Sequence, residues 1–245
     1  MVKNRSNNIA SRGQDSGGTI TPVETYLEVG KKRVFAAAID WPGWCRSGRD
    51  ETSAMQALID YGPRYRAAVS AAVDGFEPAT DAEDLSLVER LQGDSSTDFG
   101  VPHVAPAHDS LPLSDAELER LSRLLQACWQ AFDSAAEAAA SATLRTGPRG
   151  GGRDLPKMRA HVLDSDGAYV AGLGGRYRAG GRGLGEDMVG VRRAFLDALA
   201  ARVRGDLPDR GAKGGLRWGP RYAIRRSAWH ALDHAWEIED RSDPS

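Results

Sequence analysis

The chain has 245 residues, 41% of them hydrophobic, which is enough for one large domain or two ordinary ones. Lys and Arg total 32 against 34 Asp and Glu, so the chain lacks the excess positive charge that neutralises nucleic-acid phosphates. No apolar run is long enough for a membrane span or a secretory signal. The sequence therefore predicts a cytoplasmic globular protein whose partner is neither nucleic acid nor a membrane.

The first 20 residues are polar and rich in Gly and Ser, with almost no apolar periodicity, so we expect a disordered tail. Only two cysteines follow, Cys45 in a turn-like segment and Cys128 inside a predicted helix. Two scattered cysteines are too few for a disulfide framework or a cysteine zinc site. The sequence predicts that both are reduced thiols.

Residues 21–75 are predicted to form a small α/β domain. Two β-like runs, at residues 25–29 and 33–39, flank a Gly-containing spacer of hairpin length, which predicts an antiparallel hairpin. A Pro-Gly turn and a short strand follow. A helix then begins at Asp50, and Gly62-Pro63 ends or breaks it.

The segment DWPGWCRSGRDETSAMQALIDY carries this turn and helix, and the order of elements resembles the HicB-like family. That resemblance implies the family's small α/β fold for this part of the chain. No helix-turn-helix or ribbon-helix-helix pattern lies beside it. A structural or oligomerising domain is therefore the alternative to a HicB-like regulatory function.

Residues 76–113 are predicted to be a linker, because Asp, Ser, Thr, Pro and Gly dominate them and only a short helical run near residues 85–91 interrupts that composition. The linker contains His103 and His108. Because they are five apart in a Pro-containing stretch, no regular element would bring them onto one face. Solvated side chains are the expected state of both.

Residues 114–241 carry four amphipathic patterns, which predict a four-helix bundle and, with the smaller domain, an α+β protein that is mainly α. The first helix opens with a capping box formed by Ser114 and Glu117. The others are predicted to begin near residues 154, 188 and 222 and to end near residues 173, 203 and 240.

A glycine-rich connection, residues 174–187, follows the second of these helices and is longer than neighbouring antiparallel helices usually need. This length predicts a crossover connection. Its GGRGLGE segment is not expected to bind phosphate, because no strand precedes it and it lacks the lysine of a Walker motif.

The fourth helix carries His230-Ala-Leu-Asp-His234-Ala-Trp-Glu237. At about 100° per residue, the two histidines and Glu237 share one face at the edge of the apolar arc. Two histidines at i and i+4 can bind one ion, and His161, on the apolar stripe of the second helix, would be the third ligand. Three imidazoles leave positions open for water or substrate, and they suit Zn or Ni. Satisfied core histidines are the alternative.

Two carboxylates are predicted to assist such a site. Glu237 or Asp164 would orient an imidazole ring or move a proton, the two roles that carboxylates take beside bound metals. A positive patch of arginines on the same helices, Arg225 and Arg226 with Arg221 and Arg176, would bind an anionic cofactor. Arginines that merely solvate a helix surface are the alternative for that patch.

The segments RDLPKMRAHVLDSDGAYVAGLG and RYAIRRSAWHALDHAWEIEDR resemble the metal-binding helices of the DinB/YfiT-like family of metalloenzymes. The resemblance covers about half of the chain and implies an up-down-down-up four-helix bundle in which His161, His230 and His234 hold a divalent metal. Family members with assigned chemistry include transferases and isomerases that use low-molecular-weight thiols such as mycothiol or bacillithiol, with the metal activating the sulfur.

Two functions follow from the sequence. The first is a metal-dependent, thiol-using transferase or isomerase. The second is a non-catalytic ligand-binding or regulatory protein with a metal-binding bundle and a HicB-like interaction domain. The sequence leaves open the substrate, the identity of the metal and the oligomeric state, a homodimer included.

Overall fold

The structure is a computed structural model that describes residues 22–146, 152–181 and 183–242; the predicted tail lies outside these residues. Within them the protein is mixed α+β. No helix in these ranges has the length and apolar character to cross a membrane. The strands are β1 (Val23–Val29), β2 (Val34–Ala38), β3 (Cys45–Gly48) and β4 (Leu85–Gln92), and the α-helices are α1 (Glu51–Asp60), α2 (Gly62–Val69), α3 (Ser95–Phe99), α4 (Asp115–Ala138), α5 (Leu155–Leu173), α6 (Leu184–Val203) and α7 (Pro220–Ser242).

The four strands form one sheet in the order β3-β2-β1-β4. β1 and β2 are antiparallel with Val29 opposite Val34, which confirms the predicted hairpin. Along β2 the side chains alternate between two apolar clusters, and every residue of the strand is buried. Ala36 belongs to the main core, whereas Phe35 faces Trp229 of α7, 6.3 Å between ring centroids. At β2 the sheet is therefore covered on both faces.

β4 corrects the prediction of a linker with a helical run over residues 85–91. The segment is a strand that pairs in parallel with β1. Along it, buried or half-buried side chains alternate with exposed ones for most of its length. An apolar run this short does not distinguish strand from helix by periodicity alone. Further along, the buried Glu28 carboxylate accepts hydrogen bonds from the backbone amides of His103 and Val104, which ties this part of the segment to the sheet.

The start of α1 and the break between α1 and α2 lie where the sequence predicts them. Asp50 caps α1 and accepts a hydrogen bond from the Ser53 amide. The helix ends at Tyr61, and Pro63 lies in the first turn of α2, where its missing amide hydrogen leaves no intrahelical bond unmade. This arrangement confirms the predicted interruption at Gly62-Pro63.

The turn between β2 and β3 presses against the long helices at Gly43. This glycine has φ +98°, and a Cβ there would lie 2.9 Å from Leu232 Cδ1 and 3.3 Å from Cys128 Sγ. We expect Gly43→Ala to lower the free energy of unfolding by about 2 kcal/mol or more, since backbone strain and crowding add. Gly75→Ala is the matched control, because Gly75 also has positive φ (84°) but has no atom within 4 Å of its added Cβ. Urea unfolding of both variants separates the two effects, and equal losses would contradict the crowding.

Contacts along α4 and α7 show that these two helices are parallel. Glu117 near the start of α4 bonds Arg221 at the start of α7, and further along both helices Trp129 Nε1 donates to Ser227 Oγ. α5 runs against α7, because His161 lies beside His230 whereas the later residue Asp166 contacts the earlier residue Ser227.

α5 and α6 run in the same direction. Asp166 approaches Arg192, and at the end of α5 an added Cβ on Gly175 would lie 2.6 Å from the Ala198 side chain near the end of α6. The connection between them must therefore return along the helices, as its length predicts. α4 and α7 therefore point in one direction, and α5 and α6 point in the opposite direction.

The apolar core is continuous from the sheet to the long helices. Leu27, Trp44 and Leu58 of the N-terminal part share one buried cluster with Phe132 and Phe195 of the helical part. The separation into two parts that the predicted linker implied is thus not visible in the packing. The sheet instead forms one wall of the helical region.

Candidate metal centre

Three histidines from two antiparallel helices meet at one point. His161 projects from α5, and His230 and His234 project from successive turns of α7. Their potential ligand atoms all lie within 4.8 Å of one another, with 3.1 Å between His161 Nε2 and His230 Nε2. The structure therefore brings together all three predicted ligands, close enough to hold one metal ion.

The chemistry and spacing of these donors fit a divalent transition metal. Imidazole nitrogens bind Zn²⁺ at about 2.0–2.1 Å, which places two tetrahedral ligands roughly 3.3 Å apart. The 3.1 Å separation of the His161 and His230 nitrogens is close to that value. His230 and His234 are 7% and 8% exposed, whereas His161 is half-buried, so the cluster has one wetter side.

Glu237 holds the His234 ring by a hydrogen bond between Oε2 and Nδ1 of 3.0 Å. Its other oxygen accepts a 2.7 Å hydrogen bond from Arg241. The bond with His234, followed by the effect of Arg241, keeps the pKa of Glu237 below its usual range. Glu237 therefore stays a carboxylate and leaves Nε2 of His234 available to the site, which matches the ring-orienting role predicted for it. Asp164 is exposed and acts on His161 only as a nearby charge.

His161 and His230 are held in their neutral form. Burial, and then the neighbouring His234 and His161, lower the pKa of His230 well below its ordinary value, and Arg226 and Arg153 act in the same direction. Burial and then Arg153 also lower the pKa of His161. Neutral imidazoles are the form that ligates metals, so no proton has to be displaced from these two rings at neutral pH.

This burial makes the metal-free protein sensitive to acid. As the pH falls through about 6.5, His230 of the unfolded chain takes up a proton that the folded chain binds only at lower pH, so stability is lost on acidification. We expect the melting temperature of the wild type, measured with chelator, to fall relative to that of His230→Gln between about pH 7.5 and pH 5. The comparison cancels groups common to both proteins. Parallel curves would contradict the burial of a neutral His230.

Arg226 lies beside the cluster, as predicted, and Arg225 does not. Arg226 is half-buried, with its guanidinium 4.9 Å from the Trp229 ring, and it donates to the carbonyl of Pro102. The neighbouring Arg225 points toward the sheet, where it is buried and bonded to Asp109 and to two carbonyls of the β2 strand end. Its donors are therefore engaged by the protein, and the expectation that it binds an anionic cofactor is corrected.

Arg221, another arginine of the predicted patch, is also engaged by the protein. It is buried and bonds Glu117 and the carbonyls of Leu111 and Pro112. Arg176 is exposed on the connection after α5. Of the three patch arginines on α7, only Arg226 therefore lies beside the histidine cluster.

The remaining histidines and the cysteines are not part of the cluster. His103 Nε2 lies 2.9 Å from an Asp94 oxygen, and His108 lies 3.9 Å from Asp40, so neither is the freely solvated side chain that the linker interpretation predicted. Cys45 and Cys128 are free thiols, as predicted, and both are buried.

Sequence reasoning missed two buried polar residues on the helices that carry the site. Arg241 follows Glu237 by four residues, a spacing that favours an ion pair on a helix. Asp166 is 1% exposed on the apolar stripe of α5, and burial raises its pKa to about 7 despite the opposing effects of Arg192 and Ser227. The position of Asp166 on the apolar stripe of α5 was the sequence feature that could have identified it as a buried carboxylate.

Comparisons of this chain with protein-family models, curated proteins and solved structures gave no significant match.

Proposed function

We propose that this protein is a divalent-metal-dependent enzyme of the DinB-like type, in which His161, His230 and His234 hold Zn or Ni. The convergence of three imidazoles within 4.8 Å carries the proposal. The directions of α4 to α7 agree with the up-down-down-up four-helix bundle that the sequence resemblance implies. We extend the same proposal to a HicB-like N-terminal domain and a cytoplasmic location.

A bound metal would act as a Lewis acid that lowers the pKa of a coordinated water or thiol. The protein's own residues contribute the remaining functions. Glu237 orients His234, and the half-buried His161 gives the cluster its solvent-facing side. Arg226, which lies beside His230, would bind an anionic group of a small-molecule substrate or cofactor.

The state of the two cysteines favours a thiol supplied from outside the chain. Cys128 is 0% exposed and Cys45 4%, and burial raises the pKa of both thiols. Neither forms an accessible thiolate at neutral pH. A low-molecular-weight thiol would provide the nucleophile for a transferase or isomerase reaction, with the metal holding its sulfur.

A non-catalytic regulatory protein is the second candidate, and one contact favours it. Trp229 precedes the metal-site residue His230 and packs on Phe35 of the sheet. Occupancy of the histidine cluster would therefore be transmitted to the sheet through this buried contact. Metal binding is common to both candidates, whereas turnover is specific to the enzyme.

The decisive experiment is elemental analysis of protein produced without a histidine tag. We expect about one equivalent of Zn or Ni per chain after purification or reconstitution. Less than a tenth of an equivalent after reconstitution would refute the metal site. Loaded protein is then assayed for transfer to or from small thiols, with chelator-treated protein as control; metal binding without any thiol-dependent turnover would favour the regulatory candidate.

A further inference from the structure

Glu237 bonds one histidine of the cluster, and a second carboxylate is buried on the same pair of helices. This second carboxylate, Asp166 on α5, is almost completely buried. Its Oδ1 is hydrogen-bonded by Ser227 Oγ at 3.3 Å. Its Oδ2 has no hydrogen-bond partner among the described residues, and the nearest cationic atom, Arg192 Nε, stays 4.0 Å away. A carboxyl oxygen in the interior is thus left without a hydrogen-bond partner among the described residues.

Within the described ranges, His230 also has a buried polar atom without a hydrogen-bond partner. Its Nε2 lies 3.1 Å from His161 Nε2, but its buried Nδ1 has no partner in the part of the chain that the structure describes. Buried side-chain nitrogens nearly always have a protein or water partner, so an acceptor or a bridging water is expected at Nδ1.

The packing of α7 on α5 places Asp166 and His230 at a similar height along the two helices. The His230 ring lies 5.0 Å from the His161 ring and 5.9 Å from the Tyr169 ring, and these two residues are one on each side of Asp166 along α5. His230 is therefore level with the turn that carries Asp166. Ser227, which bonds Asp166, lies one helical turn before His230 on α7.

We infer that Asp166 is a positioning residue for His230, accepting the hydrogen bond of its Nδ1–H through one buried water. This bond fixes the tautomer in which the Nε2 lone pair points at His161 and His234. Histidines that ligate metals almost always donate their second nitrogen in this way. Asp166 would orient the His230 ring as Glu237 orients the His234 ring. Each of the two buried histidines would then have its own carboxylate partner. The inference rests on the proposed metal site.

The test compares Asp166→Asn with wild type by two measurements. Nitrogen-edited NMR of the imidazoles, in metal-free protein, reports which ring nitrogen of His230 carries the proton. We expect the Nδ1–H tautomer in wild type and a mixture in Asp166→Asn. Competition with a chelator reports Zn²⁺ affinity, which we expect to be about 10–100-fold weaker in the variant, the usual loss when such a partner is removed.

Asp133→Asn is the matched control. Asp133 bonds the same Arg192 from α4 but is largely exposed, so its loss disturbs the network without touching His230. We expect it to leave the tautomer and the Zn²⁺ affinity unchanged. If Asp166 serves only Arg192, Asp166→Asn will lower the melting temperature while both readouts stay as in wild type, and the inference is wrong.

Two further outcomes are distinguishable. If Asp166→Asn does not fold, the tautomer of His230 in metal-free wild type still decides, because an Nε2–H form there overturns the inference. If wild type binds no metal, the proposed function fails, whereas the Asp166–His230 bond is still tested by the same spectrum.

Discussion

Replacing any one of His161, His230 or His234 with Ala is expected to abolish stoichiometric metal binding. Each residue supplies one of three neutral donors, and removing His161 leaves two imidazoles on a single helix, a far poorer chelate. The loss of affinity should amount to orders of magnitude. Metal content after reconstitution and dialysis measures it. Full occupancy in His161→Ala would refute the three-histidine site.

The matched controls are His103→Ala and His108→Ala, because both residues lie outside the cluster. We expect these variants to bind one equivalent of metal, as the wild type does. Melting temperatures of the metal-free ligand variants should change only modestly, since apolar packing and not the ion holds the helices together. An equal loss of metal in His103→Ala would mean that the segment around it contributes to the site.

Replacing Arg225 with Ala is expected to lower the free energy of unfolding by about 3–5 kcal/mol. The variant leaves Asp109, whose side chain is 2% exposed, as an uncompensated buried charge. It also removes the donors to the carbonyls of Ala38 and Ile39, which join α7 to the sheet. Urea unfolding followed by circular dichroism measures the change.

Arg64→Ala is the control for that prediction. Arg64 also joins two elements, pairing with Glu239 and Asp240 of α7 from α2, but its side chain is 31% exposed. Water and salt weaken such pairs, so we expect a loss of about 1 kcal/mol or less. Similar losses in the two variants would show that burial does not decide the strength of the contacts made by Arg225.

The elements that the sequence predicts well are those with a strong local signal. The hairpin of β1 and β2 follows from two apolar runs around a short Gly-containing spacer, and α4 follows from its capping box and its apolar stripe. The pairing of His230 and His234 was predictable for the same reason, because their helical spacing places both on one face of α7, and His161 was assigned from its place on the apolar stripe of α5.

The features that the sequence did not predict depend on partners distant in the chain. β4 is a strand because β1, more than 50 residues earlier, offers it an open edge, and its own short pattern is ambiguous. Arg225 and Arg226 are adjacent and chemically identical, yet one meets Asp109 and the sheet while the other lies beside His230. Their roles differ because the sheet packs on one side of α7 only.

The parallel pairing of β1 with β4 and the Arg225–Asp109 bond affect the order in which the chain can fold during synthesis. The sheet cannot be completed until Gln92 has left the ribosome. Asp109 cannot form its ion pair until Arg225, more than 100 residues downstream on α7, has been synthesised. Nascent chains that stop before α7 should therefore hold an incompletely covered sheet and depend on chaperones, because apolar strand faces exposed in this way promote aggregation.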